Sequence, residues 1–156
     1  MDTSALDRSY RQFLQTAGPG GFPPPADTAA WNADQVVASV IAGDRLLAAT
    51  TAQLIDGGPA TYTNAAAFVA PYLDEIGRAA GDWPGLVAHA RQCALEFVML
   101  ARRLDDAQLA TPVQVRVMDA DQVRVEGPVP WSGVLATHAE VYLPERVAQL
   151  EALRSA

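Results

Sequence analysis

The sequence predicts an all-α protein: a bundle of four main helices, with a crossover helix and a small β-hairpin before the last helix. Apolar residues recur at spacings of three and four over several long stretches, which is typical of amphipathic helices. Glycine- and proline-rich breaks separate these stretches, and only one region alternates as strands do. Half of the 156 residues are apolar, which suits a single domain, residues 1–156, around one core.

Four stretches have the apolar spacing of main helices, and they cover residues 4–16, 33–56, 83–106 and 132–152. Asn32 precedes the second stretch as a helix cap, and Gln35 follows three residues later in a capping-box pattern. Asp82 and Pro84 mark the start of the third stretch. Ser132 is the predicted cap of the last one.

The remaining segments have weaker secondary-structure patterns. Residues 64–80 contain a proline and a glycine, and we interpret them as a crossover helix that begins after a turn at 62–64. Residues 113–117 and 123–126 alternate valine with polar residues around a turn at 119–121, a pattern that predicts a β-hairpin. A lone hairpin is marginal in water, so its valine face is expected to lie on the helices.

Charge and composition exclude several classes of protein. The net charge is −7, all eleven basic residues are arginines, and none form a basic run, so nucleic-acid binding is not expected. No apolar run reaches the ~18 residues of a membrane span, and the first residues lack the pattern of a signal peptide. Cys93 is the one cysteine, so an internal disulfide is excluded and a cytoplasmic location is expected. The absence of lysine, with abundant alanine, suggests a bacterial source with a GC-rich genome.

The last helix suggests a site. His138, Tyr142 and Arg146 are spaced four residues apart, so they are expected to line one face of a mostly apolar helix. Pro144 should kink this helix, and the bend is either merely tolerated or widens a cavity. Asp44 interrupts the apolar second helix, and we interpret it as part of a solvated rim.

Two segments resemble a known family. Residues 31–40, Trp-Asn-Ala-Asp-Gln-Val-Val-Ala-Ser-Val, look like the start of the second helix in the DinB-like superfamily. That superfamily includes the N-terminal domains of mycothiol-dependent maleylpyruvate isomerases. Residues 142–150, which end in Ala-Gln-Leu, resemble the family's last helix, and the order of predicted elements also matches. The resemblance covers most of the chain and implies a DinB-like four-helix bundle.

The departures from the family pattern concern its metal site. Members of this type bind a divalent metal through three histidines, and the resemblance places those positions at Ser39, Tyr142 and Arg146. A serine hydroxyl is a poor ligand, and arginine stays protonated. His138 lies one turn before the family's usual pair of histidines. Residual metal binding through His138 and nearby carboxylates is an alternative to the two functions described below. We expect the metal site to be lost, with no metal and no cofactor.

Two functions of different classes fit this pattern. The first is a small-molecule-binding or scaffold module whose pocket contains Ser39, His138, Tyr142 and Arg146. The alternative is a thiol-dependent transferase or isomerase of the mycothiol type, in which Arg146 and Tyr142 replace the metal by holding a carboxylate or thiolate. The expected partner is therefore a small anionic ligand or a low-molecular-weight thiol. The sequence leaves open whether the chain is an enzyme.

Apolar residues on a second face of two helices predict a homodimer. These residues are Leu46 and Ile55 in the second helix and Leu95 and Met99 in the third. A bundle of this size leaves some of them uncovered, and contiguous apolar surface usually marks an interface.

Overall fold

The computed structural model describes residues 1–155, and it is mostly helical, as predicted. The α-helices are α1 Ser4–Ala17, α2 Ala33–Ile55, α3 Ala70–Ala80, α4 Trp83–Ala101, α5 Asp106–Ala110, α6 Trp131–Thr137 and α7 Leu143–Ser155. A 3₁₀ turn covers Ala65–Phe68, and a π-helical segment covers His138–Tyr142. Within residues 1–155, no helix combines the length and the apolar composition that a membrane span requires.

Helix α2 is the central element, because it packs against α3, α4 and α7. Helix α1 packs against α4 and α7. The core between them contains large side chains that are essentially inaccessible: Leu6, Phe13, Ile41, Leu47, Phe97, Trp131 and Leu150. Burying each side chain of this kind stabilises the fold by about 1.5–3 kcal/mol.

The predicted helix starts at Asn32 and Asp82 are confirmed. Asn32 Oδ1 accepts a hydrogen bond from the Gln35 backbone N–H at 2.9 Å, and Gln35 Oε1 accepts one from the Asn32 N–H at 3.1 Å. Asp82 Oδ1 accepts a hydrogen bond from the Gly85 N–H at 2.8 Å. These caps satisfy backbone donors that the first helical turn leaves without partners.

The third predicted helix is too long. Helix α4 ends at Ala101, and α5 is a separate short helix that begins after Asp105. Asp105 and Gln108 form a second capping box, with hydrogen bonds of 2.7 and 2.9 Å. Apolar spacing continues through this break, which is why the sequence pattern alone predicts one helix.

The predicted hairpin is confirmed, and a third strand extends it. Strand β2 covers Pro112–Asp119 and β3 covers Gln122–Pro130, paired antiparallel with an irregularity between Val117 and Met118. Strand β1, Thr61–Thr63, pairs in parallel with β2, so the order is β1–β2–β3. The sequence pattern predicts a turn at 62–64 instead, because three residues are too few for an alternating pattern to be recognised.

The predicted crossover helix, residues 64–80, is divided into a 3₁₀ turn and an α-helix. The 3₁₀ turn at Ala65–Phe68 comes first, and α3 follows after Val69. Pro71 lies in the first turn of α3, where its missing N–H needs no helical partner.

The last predicted helix, residues 132–152, is helical throughout but is not one regular α-helix. Helix α6 passes into the π-helical segment, in which the Leu143 N–H bonds to the His138 carbonyl, and α7 follows. Pro144 is the second residue of α7, and the wider π turn contains Glu140, whose carbonyl the Pro144 ring would crowd in a regular helix. The predicted Ser132 cap is wrong, because α6 begins at Trp131, whose N–H bonds to the Thr111 carbonyl at 3.1 Å.

Candidate functional site

The four residues predicted from the last helix and α2 lie side by side. The Tyr142 hydroxyl donates to the Ser39 carbonyl oxygen at 3.1 Å and lies 3.4 Å from Ser39 Oγ. The His138 ring stacks on the Tyr142 ring with centroids 5.1 Å apart and an interplanar angle of 19°. The guanidinium carbon of Arg146 lies 4.7 Å from the centre of the same ring. Helical spacing thus produces a stack with Tyr142 between His138 and Arg146.

The hydroxyl groups of this stack are already used within the protein. Tyr142 donates to α2 as described, and Ser39 Oγ donates to the Val36 carbonyl at 2.7 Å. Burial raises the pKa of Tyr142, so its hydroxyl keeps the proton that it donates. Ser39 and Tyr142 therefore hold the last helix against α2.

A buried carboxylate lies next to the stack. Asp44 has no accessible surface, its Oδ1 accepts a hydrogen bond from the Tyr10 hydroxyl, and His138 Nε2 lies 3.3 Å from the same oxygen. Tyr10 Oη and His138 Nε2 are 2.9 Å apart. The interpretation of Asp44 as a solvated rim is therefore wrong. Asp44 shares a face of α2 with the buried Val40 and Leu47, four residues before it and three after it.

Burial also affects the proton affinities in this cluster. It raises the pKa of Asp44 and raises that of Tyr10 well above its ordinary value. Tyr10 thus stays protonated and acts as a donor to Asp44. Within residues 1–155, Asp44 Oδ2 is fully enclosed and has no hydrogen-bond partner, which ordinarily costs about 1–3 kcal/mol.

The groups around Arg146 neutralise its positive charge only in part. It is 5% exposed, and its Nε is enclosed without a partner in the described part of the chain. The one salt bridge of Arg146 is to Glu145, at 3.7 Å, and the Glu145 side chain is 60% exposed, so solvent weakens this pair. Arg146 does not pair with Asp44, whose partners are Tyr10 and His138. Its other neighbours are the faces of Tyr142 and Trp31, the latter at 5.6 Å.

The stack borders a cavity of about 310 Å³ beside the three-stranded sheet. His138, Tyr142, Glu145 and Arg146 line it from the last helix. Six valines from the sheet and the last helix give it an apolar wall, and they are Val115, Val117, Val125, Val129, Val134 and Val141. Three residues of the π-helical segment border this space, so the irregularity that precedes Pro144 shapes the cavity.

A divalent metal does not fit these residues. No group of three or more His, Cys, Asp or Glu side chains that could hold a metal occurs within residues 1–155. Ser39 and Tyr142 carry protonated hydroxyls, and Arg146 offers only donors. His138 and Asp44 are two candidate ligands, one fewer than a catalytic zinc site requires, and they bind each other.

Sequence reasoning misses Tyr10 and Asp44 as members of this site. Tyr10 belongs to the apolar pattern of the first helix, and nothing in the sequence connects it to His138, 128 positions away. For Asp44, the sequence does contain a signal, which is a charged residue in the middle of a helix that is apolar on a wide face. Such a charge is either solvated or paired in the interior, and the spacing from Val40 and Leu47 favours the interior.

Comparison of the chain with protein-family models, with curated proteins and with solved structures gave no match. The resemblance to the DinB-like superfamily therefore stays a prediction.

Replacing Asp44 with alanine should destabilise the protein by about 2–4 kcal/mol, because the buried Tyr10 and His138 groups lose their acceptor. Urea unfolding followed by circular dichroism measures this loss. Asp56→Ala is the matched control at the exposed end of α2, and it should change stability by less than about 0.5 kcal/mol. Equal effects of the two substitutions would contradict the role of Asp44.

Proposed function

We propose that this chain is a small-molecule-binding module that holds a ligand with an anionic group in the cavity beside the sheet. Arg146 is the residue that binds the anion, and a carboxylate is the anion that its planar fork of donors fits best. The observation that carries the proposal is the charge of Arg146, which lines the cavity, is 5% exposed and has the exposed Glu145 as its one ionic partner within residues 1–155.

The charge of Arg146 argues for an anionic ligand. Removing an unpaired charge from water costs several kcal/mol. Contacts with the faces of Tyr142 and Trp31 recover about 0.5–2 kcal/mol each, and the exposed Glu145 adds little. A carboxylate bound to the part of the guanidinium that borders the cavity would neutralise the charge.

The cavity restricts the rest of the ligand. Its volume of about 310 Å³ is at the lower end of the ~300–1,000 Å³ found for small-molecule sites. Its wall of valines favours an apolar body over a sugar or a nucleotide. Short aliphatic and simple aromatic carboxylic acids match both the size and the polarity of the space.

In the alternative, a thiol-dependent transferase or isomerase, Arg146 and Tyr142 hold a carboxylate or thiolate, and the Ser39 and Tyr142 hydroxyls would add hydrogen bonds. Both hydroxyls already donate to carbonyl groups of α2, at 3.1 and 2.7 Å. No contact in the described residues favours this alternative over the binding function.

Calorimetric titration tests the binding function. Hexanoate and benzoate should bind, and their neutral amides should bind at least ~10-fold more weakly, because a charge-assisted hydrogen bond contributes about 1.5–3 kcal/mol. Arg146→Gln should remove this preference for the acid.

Arg154→Gln is the matched control for the titration. Arg154 also lies on α7 and over an aromatic ring, at 4.2 Å from the centre of Phe22, but it is exposed and does not line the cavity. The variant should bind like the original protein. Equal affinities for acids and amides, or no binding of either acid by the folded protein, would refute the proposal.

We also propose that the helices form a DinB-like four-helix bundle whose metal positions have become Ser39, Tyr142 and Arg146. The contact between Ser39 and Tyr142 and the stacking of Arg146 on Tyr142 support this correspondence. The triple variant Ser39→His, Tyr142→His, Arg146→His should therefore bind zinc or nickel, which calorimetry detects. A folded triple variant that takes up neither metal would argue against the correspondence.

The expected homodimer remains a proposal. Leu95 and Met99 of α4 are 52% and 56% exposed, whereas Leu46 and Ile55 are half-buried against the core. The outer face of α4 is therefore the proposed interface. Sedimentation at tens of micromolar should give a dimer that Leu95→Asp dissociates, and a monomer of the original chain at that concentration would contradict this proposal.

A further inference from the structure

The two nitrogens of His138 have different surroundings. Nε2 faces the protein, 2.9 Å from Tyr10 Oη and 3.3 Å from Asp44 Oδ1. Tyr10 donates its own proton to Asp44, so its oxygen is free to accept, and Asp44 Oδ1 is also an acceptor. Nε2 must therefore carry a proton, and in a neutral imidazole Nδ1 then has the free electron pair.

The second nitrogen, Nδ1, is open to the cavity. Nδ1 makes no hydrogen bond within residues 1–155. It is also not one of the enclosed side-chain atoms without a partner in this range, which are Asp44 Oδ2 and Arg146 Nε. Nδ1 is therefore accessible, and the cavity is the space that the His138 ring lines. An imidazole held by a carboxylate on one nitrogen and free on the other has the arrangement of a general base.

The positions of His138 and Arg146 against the Tyr142 ring limit which proton the base can reach. Both contact the Tyr142 ring, with His138 centred 5.1 Å from it and the Arg146 guanidinium carbon 4.7 Å from it. A ligand whose carboxylate pairs with Arg146 must extend past the Tyr142 ring to reach His138, so the base meets a carbon beyond the carboxylate carbon. A proton on that carbon is the one that Nδ1 would meet.

We infer that this cavity catalyses the enolisation of small 2-oxo acids, with His138 as the general base and Arg146 as the carboxylate-binding group. The inference rests on the proposed binding function. Nδ1 takes a proton from C3, and the electron pair of the broken C–H bond forms the C2–C3 double bond. The carbonyl electron pair moves onto oxygen, and the resulting enolate lies next to the Arg146 guanidinium. The proton then returns from Nδ1 to C3 or to the enolate oxygen, so no oxidant, reductant or further reactant is needed.

The 2-oxo group is required for chemical reasons. A carbon next to a carboxylate alone is too weak an acid for a neutral imidazole. The ketone of a 2-oxo acid acidifies C3 and carries the negative charge as an enolate, and a guanidinium in a partly dry cavity stabilises such a charge well. Asp44 and Tyr10 do not touch the substrate, and they act as positioning residues for His138.

Side chains from four helical segments surround His138. Asp44 faces it from α2, Tyr10 from α1 and Tyr142 from its own segment, with Arg146 beyond Tyr142. From α4, the uncharged Phe97 packs edge-on at 6.0 Å.

Deuterium exchange tests the inference directly. The protein is incubated with 2-oxobutanoate in D₂O, and proton NMR follows the loss of the C3 signal. The intact protein should accelerate exchange over the buffer, and His138→Gln should lower the protein-dependent rate at least ~100-fold, the usual contribution of a general base. His89→Gln is the matched control, because His89 is the one other histidine of the chain, and its rate should be unchanged.

A spectroscopic readout separates positioning from stability. In the His89→Gln background, nitrogen NMR should show His138 with its proton on Nε2. The further change Asp44→Asn should shift the proton between the two nitrogens and lower the exchange rate while 2-oxobutanoate still binds. An unchanged tautomer in that variant would overturn the role of Asp44.

Binding measured beside exchange distinguishes the two proposals. If 2-oxobutanoate binds through Arg146 but exchanges no faster than in buffer, the enolisation inference is wrong and the binding function stands. If 2-oxobutanoate, hexanoate and benzoate all fail to bind the folded protein, both proposals are wrong. Acceleration that survives His138→Gln would also overturn the inference.

Discussion

A carboxylate enclosed among three helical segments is the constraint on which this site depends. Asp44 belongs to α2, and its partners Tyr10 and His138 belong to α1 and to the last helical segment. A buried carboxylate needs hydrogen bonds from its surroundings, so these three elements must meet at one point. Their meeting fixes the His138 ring, and stacking then places Tyr142 and Arg146 along the cavity.

The irregular last helix follows from the same need. Pro144 removes one backbone donor, and the π-helical segment His138–Tyr142 lies immediately before its helix. The wider turn carries the two rings that stack and the residues that border the cavity. π-helical turns of this kind recur at functional sites, where they redirect side chains.

The sequence predicts the helical class, the caps at Asn32 and Asp82, the hairpin and the proximity of His138, Tyr142 and Arg146, because these depend on local spacing. The proximity of Ser39 is an expectation from the resemblance alone, and its hydrogen bond with Tyr142 agrees with it. The pairing of Asp44 with Tyr10 and His138 joins positions 34 and 94 residues apart, which spacing does not encode. Strand β1 is missed for a related reason, since its partner is far along the chain.

The central claim is that Arg146 binds an anion in the cavity, and its Nε–H reports this directly. Nitrogen–proton NMR resolves the Nε–H of a buried arginine, and Arg146→Gln identifies the signal by its loss. On addition of hexanoate, this resonance should shift as the carboxylate binds the adjacent part of the guanidinium, while the Nε–H of Arg154 stays unchanged. An Arg146 resonance that does not move at saturating hexanoate would contradict the account.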